Sequence, residues 1–328
     1  MRVAGIDCGT NSIRLLIADT GTQSHAGELT DVVRTMKVVR LGAGVDRTGE
    51  FDATALARTL DAVSEYAQLC AEHGVESIRF AATSATRDAR NRDEFIDGVV
   101  ALLGVEPQVL SGQEEATTSF AGAISARGSE SASPLIAVDL GGGSTEIALG
   151  TADGKIISAF SMDVGCVRMH ERHLQSDPVQ EQQIQAARID VRDWLDRAEE
   201  VVDLGQARAV IGLAGSVTTI TALALGLDEY DPKRIHGTAL TLEETDRACE
   251  WFIRSTAQER EKLGFMHPGR VDVINAGALV WQEVVRRIAQ RMDEAGHVLE
   301  HVTTSEHDIL DGLALWAARD PNKPRIGE

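Results

Sequence analysis

The residues best suited to chemistry come in a phrase that the chain uses twice. Val3-Ala4-Gly5-Ile6-Asp7-Cys8-Gly9-Thr10-Asn11-Ser12 and Leu135-Ile136-Ala137-Val138-Asp139-Leu140-Gly141-Gly142-Gly143-Ser144-Thr145-Glu146 share one order of residue types. An apolar, β-branched run ends in Asp; one residue, then glycine and small polar residues follow, before a second apolar run. That order predicts strand, tight turn, strand, with a carboxylate at the first strand's end and glycine where the backbone bends sharply. Glycine lets phosphate oxygens approach main-chain N–H groups, and a carboxylate beside them suits Mg2+, which takes few protein ligands and keeps waters. A single Asp-x-Gly hairpin needs no ligand. Two copies facing each other would form a phosphate clamp: Cys8, Gly9, Thr10, Asn11 and Ser12 on one side, Gly141, Gly142, Gly143 and Ser144 on the other, with Asp7 and Asp139 offered to a cation.

Other candidates stand at the ends of predicted strands. Ser111-Gly112-Gln113-Glu114 has the form of a capping box, with Ser111 as N-cap and Glu114 reaching back to its N–H. Glu115 lies about 100° further round the helix and has no such duty; it is either a solvated side chain or a carboxylate free for acid–base work. Thr83-Ser84-Ala85-Thr86-Arg87 follows a strand and precedes a helix, where α/β folds place ligand contacts. Arg87 could grip a phosphate in two-point fashion or pair with Asp88 or Glu94 at the surface. Arg168, in Gly165-Cys166-Val167-Arg168, is a second arginine after a strand and a candidate phosphate ligand, and Gly215-Ser216 opens a helix whose N-terminus suits an anion. His170 and His173 lack the spacing of a zinc helix. No Gly-x-Ser-x-Gly elbow or Gly-Lys-Ser/Thr phosphate loop is present, which argues against serine hydrolases and P-loop nucleotidases.

The elements that must hold these residues read as alternating strands and helices. After the first hairpin, 32–41 reads as a strand, Asp52 caps a helix closing at Gly74, and a strand passes through Ile78 and Phe80. A polar loop starts at Thr83, a helix covers 95–103, and a short strand ends at Leu110. The helix from Ser111 runs to Ser125, and the Ser/Gly-rich 127–134 is the expected linker. In the second half come strands at 155–162 and 209–212, a helix from Pro178 with Asp177 as N-cap, and a capping box at Thr241-Leu242-Glu243-Glu244. A helix over 271–292, a strand at 298–303 and a helix through 310–317 complete it. At 328 residues the chain predicts two domains. Its net charge of -19 argues against nonspecific nucleic-acid or anionic-membrane binding. No apolar run is long enough for a membrane span and no signal-peptide pattern opens the chain, so a cytoplasmic protein is expected. Cys8, Cys70, Cys166 and Cys249 are widely spaced and predict reduced thiols.

These segments resemble the exopolyphosphatase and guanosine-pentaphosphate phosphohydrolase family, the Ppx/GppA group of the actin, Hsp70 and sugar-kinase superfold. The resemblance rests on the two glycine turns, Ala82-Thr83-Ser84-Ala85-Thr86-Arg87, Leu110-Ser111-Gly112-Gln113-Glu114-Glu115-Ala116, Gly165-Cys166-Val167-Arg168 and Ala214-Gly215-Ser216, in the family's order. It implies an α/β fold of two actin-like (ribonuclease H-like) lobes with a central cleft: 1–126, with a C-terminal helix near 308–328 packed back on it, and 127–307. It implies the short, two-domain form. It makes Glu115 the catalytic carboxylate, Asp139 and Glu146, with Asp7 nearby, the metal-side acids, and Arg87 the phosphate-clamping arginine. The implied cofactor is Mg2+, or Mn2+ in its place, and a homodimer is the candidate assembly. The implied substrate is inorganic polyphosphate first and guanosine pentaphosphate second; rival readings are an ATP-dependent kinase or ATPase of the same superfold and a non-catalytic polyphosphate or alarmone sensor. Ser305-Glu306-His307-Asp308-Ile309-Leu310-Asp311-Gly312 departs from the Arg-containing segment of longer relatives and leaves substrate preference open.

Overall fold

The computed structural model of the chain describes residues 1–21, 29–125 and 133–319. The chain forms two compact units, Met1–Ala126 with His307–Glu328, and Arg127–Glu306. Of the expected linker, only residues 133 and 134 lie among the described residues.

The first unit opens with β1 (Arg2–Cys8), β2 (Ser12–Thr20) and β3 (Leu29–Val38), and continues through α1 (Val45–Thr48), α2 (Ala53–Glu72), β4 (Ser77–Ala82), α3 (Ser84–Asp88), α4 (Arg92–Leu103), β5 (Gln108–Val109) and α5 (Gly112–Ser125). Its sheet runs β3-β2-β1-β4-β5, antiparallel through β3, β2 and β1 and parallel from β1 outward to β5. The second unit repeats the plan with β6 (Leu135–Leu140), β7 (Thr145–Gly150), β8 (Ile156–Met162), α6 (Cys166–Arg172), α7 (Glu181–Glu199), β9 (Ala209–Leu213), α8 (Ala214–Ala224), α9 (Pro232–Ile235), β10 (Ala239–Thr241), α10 (Leu242–Arg254), α11 (Ala257–Arg260), α12 (Ile274–Glu294) and β11 (His301–Thr304). Here the order is β10-β11-β9-β6-β7-β8, with β9 parallel to β6 as β4 is to β1. The chain then returns to the first unit as α13 (Ile309–Arg319).

Central strands covered on both faces read as near-continuous apolar runs, and β1 and β6 do so. Alternation still sorts their side chains. Ala4, Ile6 and Cys8 join Ile13, Leu15 and Ile17 in the core beneath α2 and α4. Val3, Leu16 and Ala18 pack instead with Leu310, Ala314 and Ala317 of α13. Asp7 and Arg14 share this second parity, so strand geometry alone puts both on the α13 face.

The elements expected at 95–103, 271–292 and 298–303 form with their ends shifted, as α4, α12 and β11, and three further expectations change. The strand expected over 32–41 ends at Val38, because the N–H groups of Val39, Arg40 and Gly42 turn away to bond the carbonyls of Asn11 and Thr10. Residues 84–88, expected as loop, form α3. The helix expected from Pro178 begins at Glu181 instead, where Gln180 and Gln183 cap each other reciprocally; the Asp177 carboxylate accepts the Ala257 N–H at 2.9 Å and is therefore engaged at α11. The Asp52 cap and the capping boxes at Ser111 and Thr241 form as expected. All four cysteines are free and buried.

The first turn of α13 is held by charge. Asp311, 1% exposed, accepts from Arg34 at 2.6 Å and meets His307 Nδ1 at 2.7 Å. Burial alone would raise its carboxyl, but the His307 hydrogen bond and the Arg34 guanidinium outweigh burial and hold it at about 2. Because that lies below the ordinary 3.8, ionised Asp311 stabilises the fold above about pH 4 and the contribution, about 2 kcal/mol, is lost as pH falls toward 2. Asp311→Asn is expected to be less stable than the parent at neutral pH and to lose that deficit over the same acid range. Urea unfolding of both proteins across pH checks this, and a deficit that does not change with pH would refute it.

Candidate active site

In the first unit the site forms at the carboxyl ends of the parallel strands β1, β4 and β5. The turn after β1 is closed by the Gly9 N–H on the Ser12 carbonyl at 3.0 Å, and its Thr10 and Asn11 carbonyls are tied back by residues 39–42. Cys8 and Thr10 are buried, while Gly9, Asn11 and Ser12 are half-buried. The Thr83 N–H reaches the Cys8 carbonyl at 3.2 Å, which sets the start of α3 beside this turn. From α3, Arg87 Nη1 donates to the Leu110 carbonyl at 2.8 Å and to Glu115 Oε2 at 2.6 Å. It thereby clamps the end of β5 to the first turn of α5.

Glu114 takes the capping duty, accepting the Ser111 N–H at 2.8 Å, and Glu115 turns inward, 8% exposed. Burial raises the Glu115 carboxyl above its ordinary value; the Arg87 charge and hydrogen bond oppose that, the nearby Asp7 adds to it, and a Thr83 hydrogen bond opposes it again. Asp7 is also raised by burial, against the pull of Arg14. Arg14 lies directly across the β1/β2 ladder and gives Asp7 Oδ2 two hydrogen bonds, of 3.0 and 2.7 Å.

The second unit repeats the turn. The Gly141 N–H closes on the Ser144 carbonyl at 3.0 Å, and the carbonyls of Gly141, Gly142 and Gly143 accept from Cys166, Val167, Arg168 and Gly165 at the start of α6. Arg168, 8% exposed, adds Nε to the Gly143 carbonyl at 2.7 Å, so it braces the turn from behind. Ser216 at the start of α8 hydrogen-bonds Cys166 and so lies beside the same assembly. Gly215 lies under Arg270: a Cβ there would meet Nη2 at 2.0 Å. Ala214, just before it, holds φ +66°, a left-handed conformation costing an alanine about 1 kcal/mol.

Across the β6/β7 ladder Asp139 is paired with Glu146, where the first unit pairs Asp7 with Arg14. Both acids are buried, and Glu146 Oε1 accepts from Ser161 at 2.7 Å. Like charges opposite one another weaken a sheet, so this pair is chemically suited to a divalent cation. Among the described residues no three or more His, Cys, Asp or Glu gather to hold a metal. Two facing carboxylates are the small protein share that an ion such as Mg2+ takes when water and phosphate oxygens complete its shell.

The structure thus brings Asp7, residues 8–12, Arg87 and Glu115 together in one unit, and Asp139, residues 141–144, Glu146, Arg168, Gly215 and Ser216 together in the other. Sequence reasoning missed Arg14 and Arg270. Matching the repeated phrase through to its second strand would have found Arg14 at the place of Glu146, and Pro268-Gly269-Arg270 ahead of a helix was the signal for Arg270.

Comparison with known proteins agrees in kind. The model of the Ppx/GppA phosphatase family matches residues 17–304. Exopolyphosphatase 2 of Mycobacterium tuberculosis is 47% identical over 322 residues, spanning 97% of this chain and 98% of its own. The crystal structure of an exopolyphosphatase-like protein superposes with a TM-score of 0.92 at 44% identity, over 97% of this chain and 99% of that one. The Aquifex aeolicus member of the Ppx/GppA family superposes at 0.78 with 25% identity over 99% of each chain.

Two glycines of the second unit distinguish rigid from yielding neighbours. A Cβ at Gly165 would lie 2.3 Å from Gly142 backbone atoms, whereas one at Gly215 meets the end of a flexible side chain. Gly165→Ala is expected to cost about 3 kcal/mol and Gly215→Ala less than about 1 kcal/mol. Urea unfolding compares them, and equal costs would show that the turn is not wedged against α6.

Proposed function

We propose that this chain, which belongs to the Ppx/GppA phosphatase family, is an exopolyphosphatase, a phosphoanhydride hydrolase that releases the terminal phosphate of inorganic polyphosphate. The observation that carries the mechanism is Glu115: a carboxylate buried at the start of α5, made more basic by burial and held in place by Arg87 and Thr83. A general base works best when its proton affinity approaches the working pH while it remains ionised. Burial supplies the first condition and Arg87 the second.

In the reaction Glu115 accepts a proton from water, and the resulting oxygen attacks the terminal phosphorus in line as the bridging P–O bond breaks. The shortened chain departs with the bonding pair, and orthophosphate is the other product. The N–H and hydroxyl groups that the two turns leave over, within residues 8–12 of one unit and 141–144 of the other, are assigned to phosphate oxygens, while the Gly9 and Gly141 N–H groups close the turns. The α8 N-terminus at Gly215 and Ser216 adds a further partial positive charge. Arg87 brings its charge to the reacting group as well as holding the base, and Arg168 keeps the second turn in shape. Asp139 and Glu146, with Asp7 the metal-side acid of the first unit, are assigned to Mg2+, or to Mn2+ in its place. When bound, such an ion withdraws charge from phosphoryl oxygens.

The test is phosphate release from polyphosphate, guanosine pentaphosphate, ATP and ADP in parallel, with and without Mg2+. Release from polyphosphate that requires the metal is expected; turnover confined to ATP and ADP would replace this reading with the kinase or ATPase one, and turnover confined to guanosine pentaphosphate would make that the substrate instead. Glu115→Gln should lower kcat by about 10²- to 10⁴-fold while polyphosphate still binds. The base must be ionised, so kcat/KM in the parent falls as pH drops, with a midpoint above the ordinary glutamate value of 4.5. Arg87→Gln removes the groups that oppose the rise, so the midpoint should move to higher pH. A shift to lower pH would remove Glu115 from the role.

A further inference from the structure

Asp308, at the threshold of α13, touches α5, which carries Glu115, and reaches Asp7 through Arg14. It is 3% exposed. Its Oδ1 accepts the Leu310 N–H at 3.0 Å, the ordinary duty of a helix cap. Its Oδ2 accepts from Arg14 Nη1. The same guanidinium turns its Nε and Nη2 to Asp7 Oδ2. Arg14 is therefore a strap stretched between two buried acids, and both ends must hold for the Asp7 carboxylate to keep its orientation.

The second contact is main chain against helix. The Asp308 carbonyl lies so close to Gly122 of α5 that a Cβ there would be 1.7 Å from it, and a Cβ on Gly312 would be 2.1 Å from the Thr118 carbonyl. Glu115, Thr118 and Gly122 recur at helical spacing and share one face of α5. The face that carries Glu115 is thus seated on the first turn of α13. We infer that Asp308 is a positioning residue for the hydrolysis proposed above: its backbone sets α5, which carries Glu115, and its carboxylate sets Asp7 through Arg14. A helix cap alone does not require a carboxylate, since asparagine caps as well. The charge is there for Arg14.

The proposal rests on the hydrolytic reading, and the experiment separates the two. Asp308→Asn, Arg14→Gln, Arg14→Lys, the double variant Asp308→Asn/Arg14→Gln and Arg2→Gln are compared with the parent for kcat and KM on polyphosphate and for the urea unfolding midpoint. Asp308→Asn should lower kcat about ten- to a hundredfold, the scale of a small misplacement of reacting groups, with KM changed less than about twofold. The double variant should fall no further than the worse single one, because both act through one strap. Arg14→Lys should recover part of the loss while leaving α13 untouched. Arg2→Gln breaks the pair with Asp19 at the opposite end of the β1/β2 ladder, so it should lower the urea midpoint and leave kcat unchanged. Equal kcat in Asp308→Asn and the parent, or multiplying losses in the double variant, would overturn the proposal and leave the hydrolytic reading standing. A parent that releases no phosphate from polyphosphate would overturn the hydrolytic reading itself, and the positioning role with it.

Discussion

A carboxylate at the end of a strand buried on both faces must find a counter-charge, since leaving an ion unpaired in such a place costs several kcal/mol. This chain meets the constraint twice, with the same hairpin and opposite answers. In the first unit the residue facing Asp7 is Arg14, and the hairpin neutralises itself. In the second the residue facing Asp139 is Glu146, which doubles the negative charge. The two hairpins thus differ in the sign of the residue set opposite the aspartate. On the proposed reading that difference divides the labour: the first unit supplies the base and one metal-side acid, Asp7, already held by Arg14, and the second supplies the Asp139 and Glu146 pair.

Both turns are braced alike. In each, a glycine N–H closes on the serine carbonyl three residues on, and the segment after the third strand donates N–H groups to the carbonyls between. The carbonyls are consumed from behind, which suits a loop whose remaining main-chain polarity is positive. The bracing strains the backbone at one point: Arg40, whose N–H holds the Asn11 carbonyl, sits at φ +52°. Outside glycine only Ala214, at the start of α8, shares a positive φ among the described residues. Strain of this kind persists where surrounding contacts over-determine a conformation.

What could be read in the sequence was what depends on neighbours along the chain. The doubled Asp-Gly phrase, the two capping boxes and the Asp52 cap are all local patterns, and all formed. Glu115 stood out by local arithmetic, because its neighbour Glu114 had already taken the cap. The start of α7 was misjudged because Asp177-Pro178 is an equally good local signal, overridden when the Asp177 side chain found the α11 N-terminus, distant in sequence. Arg14 and Arg270 escaped because their meaning lies in strand register and in contact with a distant glycine. The departing segment Ser305 to Gly312 belongs to the same class: nothing in its order announces that Asp308 and Asp311 will hold Arg14 and Arg34.

The net charge of -19 makes a polyanionic substrate an awkward guest. Arginine forks would be the direct remedy, yet those near the two turns have structural partners. Arg14 is divided between Asp7 and Asp308, Arg34 holds Asp311, Arg87 spans Leu110 and Glu115, and Arg168 braces Gly143. They build the frame that aims other groups. Anion binding on the proposed reading then falls mainly to main-chain donors and a divalent ion, which act over a few ångströms and add little long-range field. Such a site does not draw polyphosphate from afar; it discriminates at contact, where a phosphoryl group must fit the glycine turns to be held at all. On the proposed reading that contact is what favours glycine, rather than lysine, as the residue repeated at the two turns.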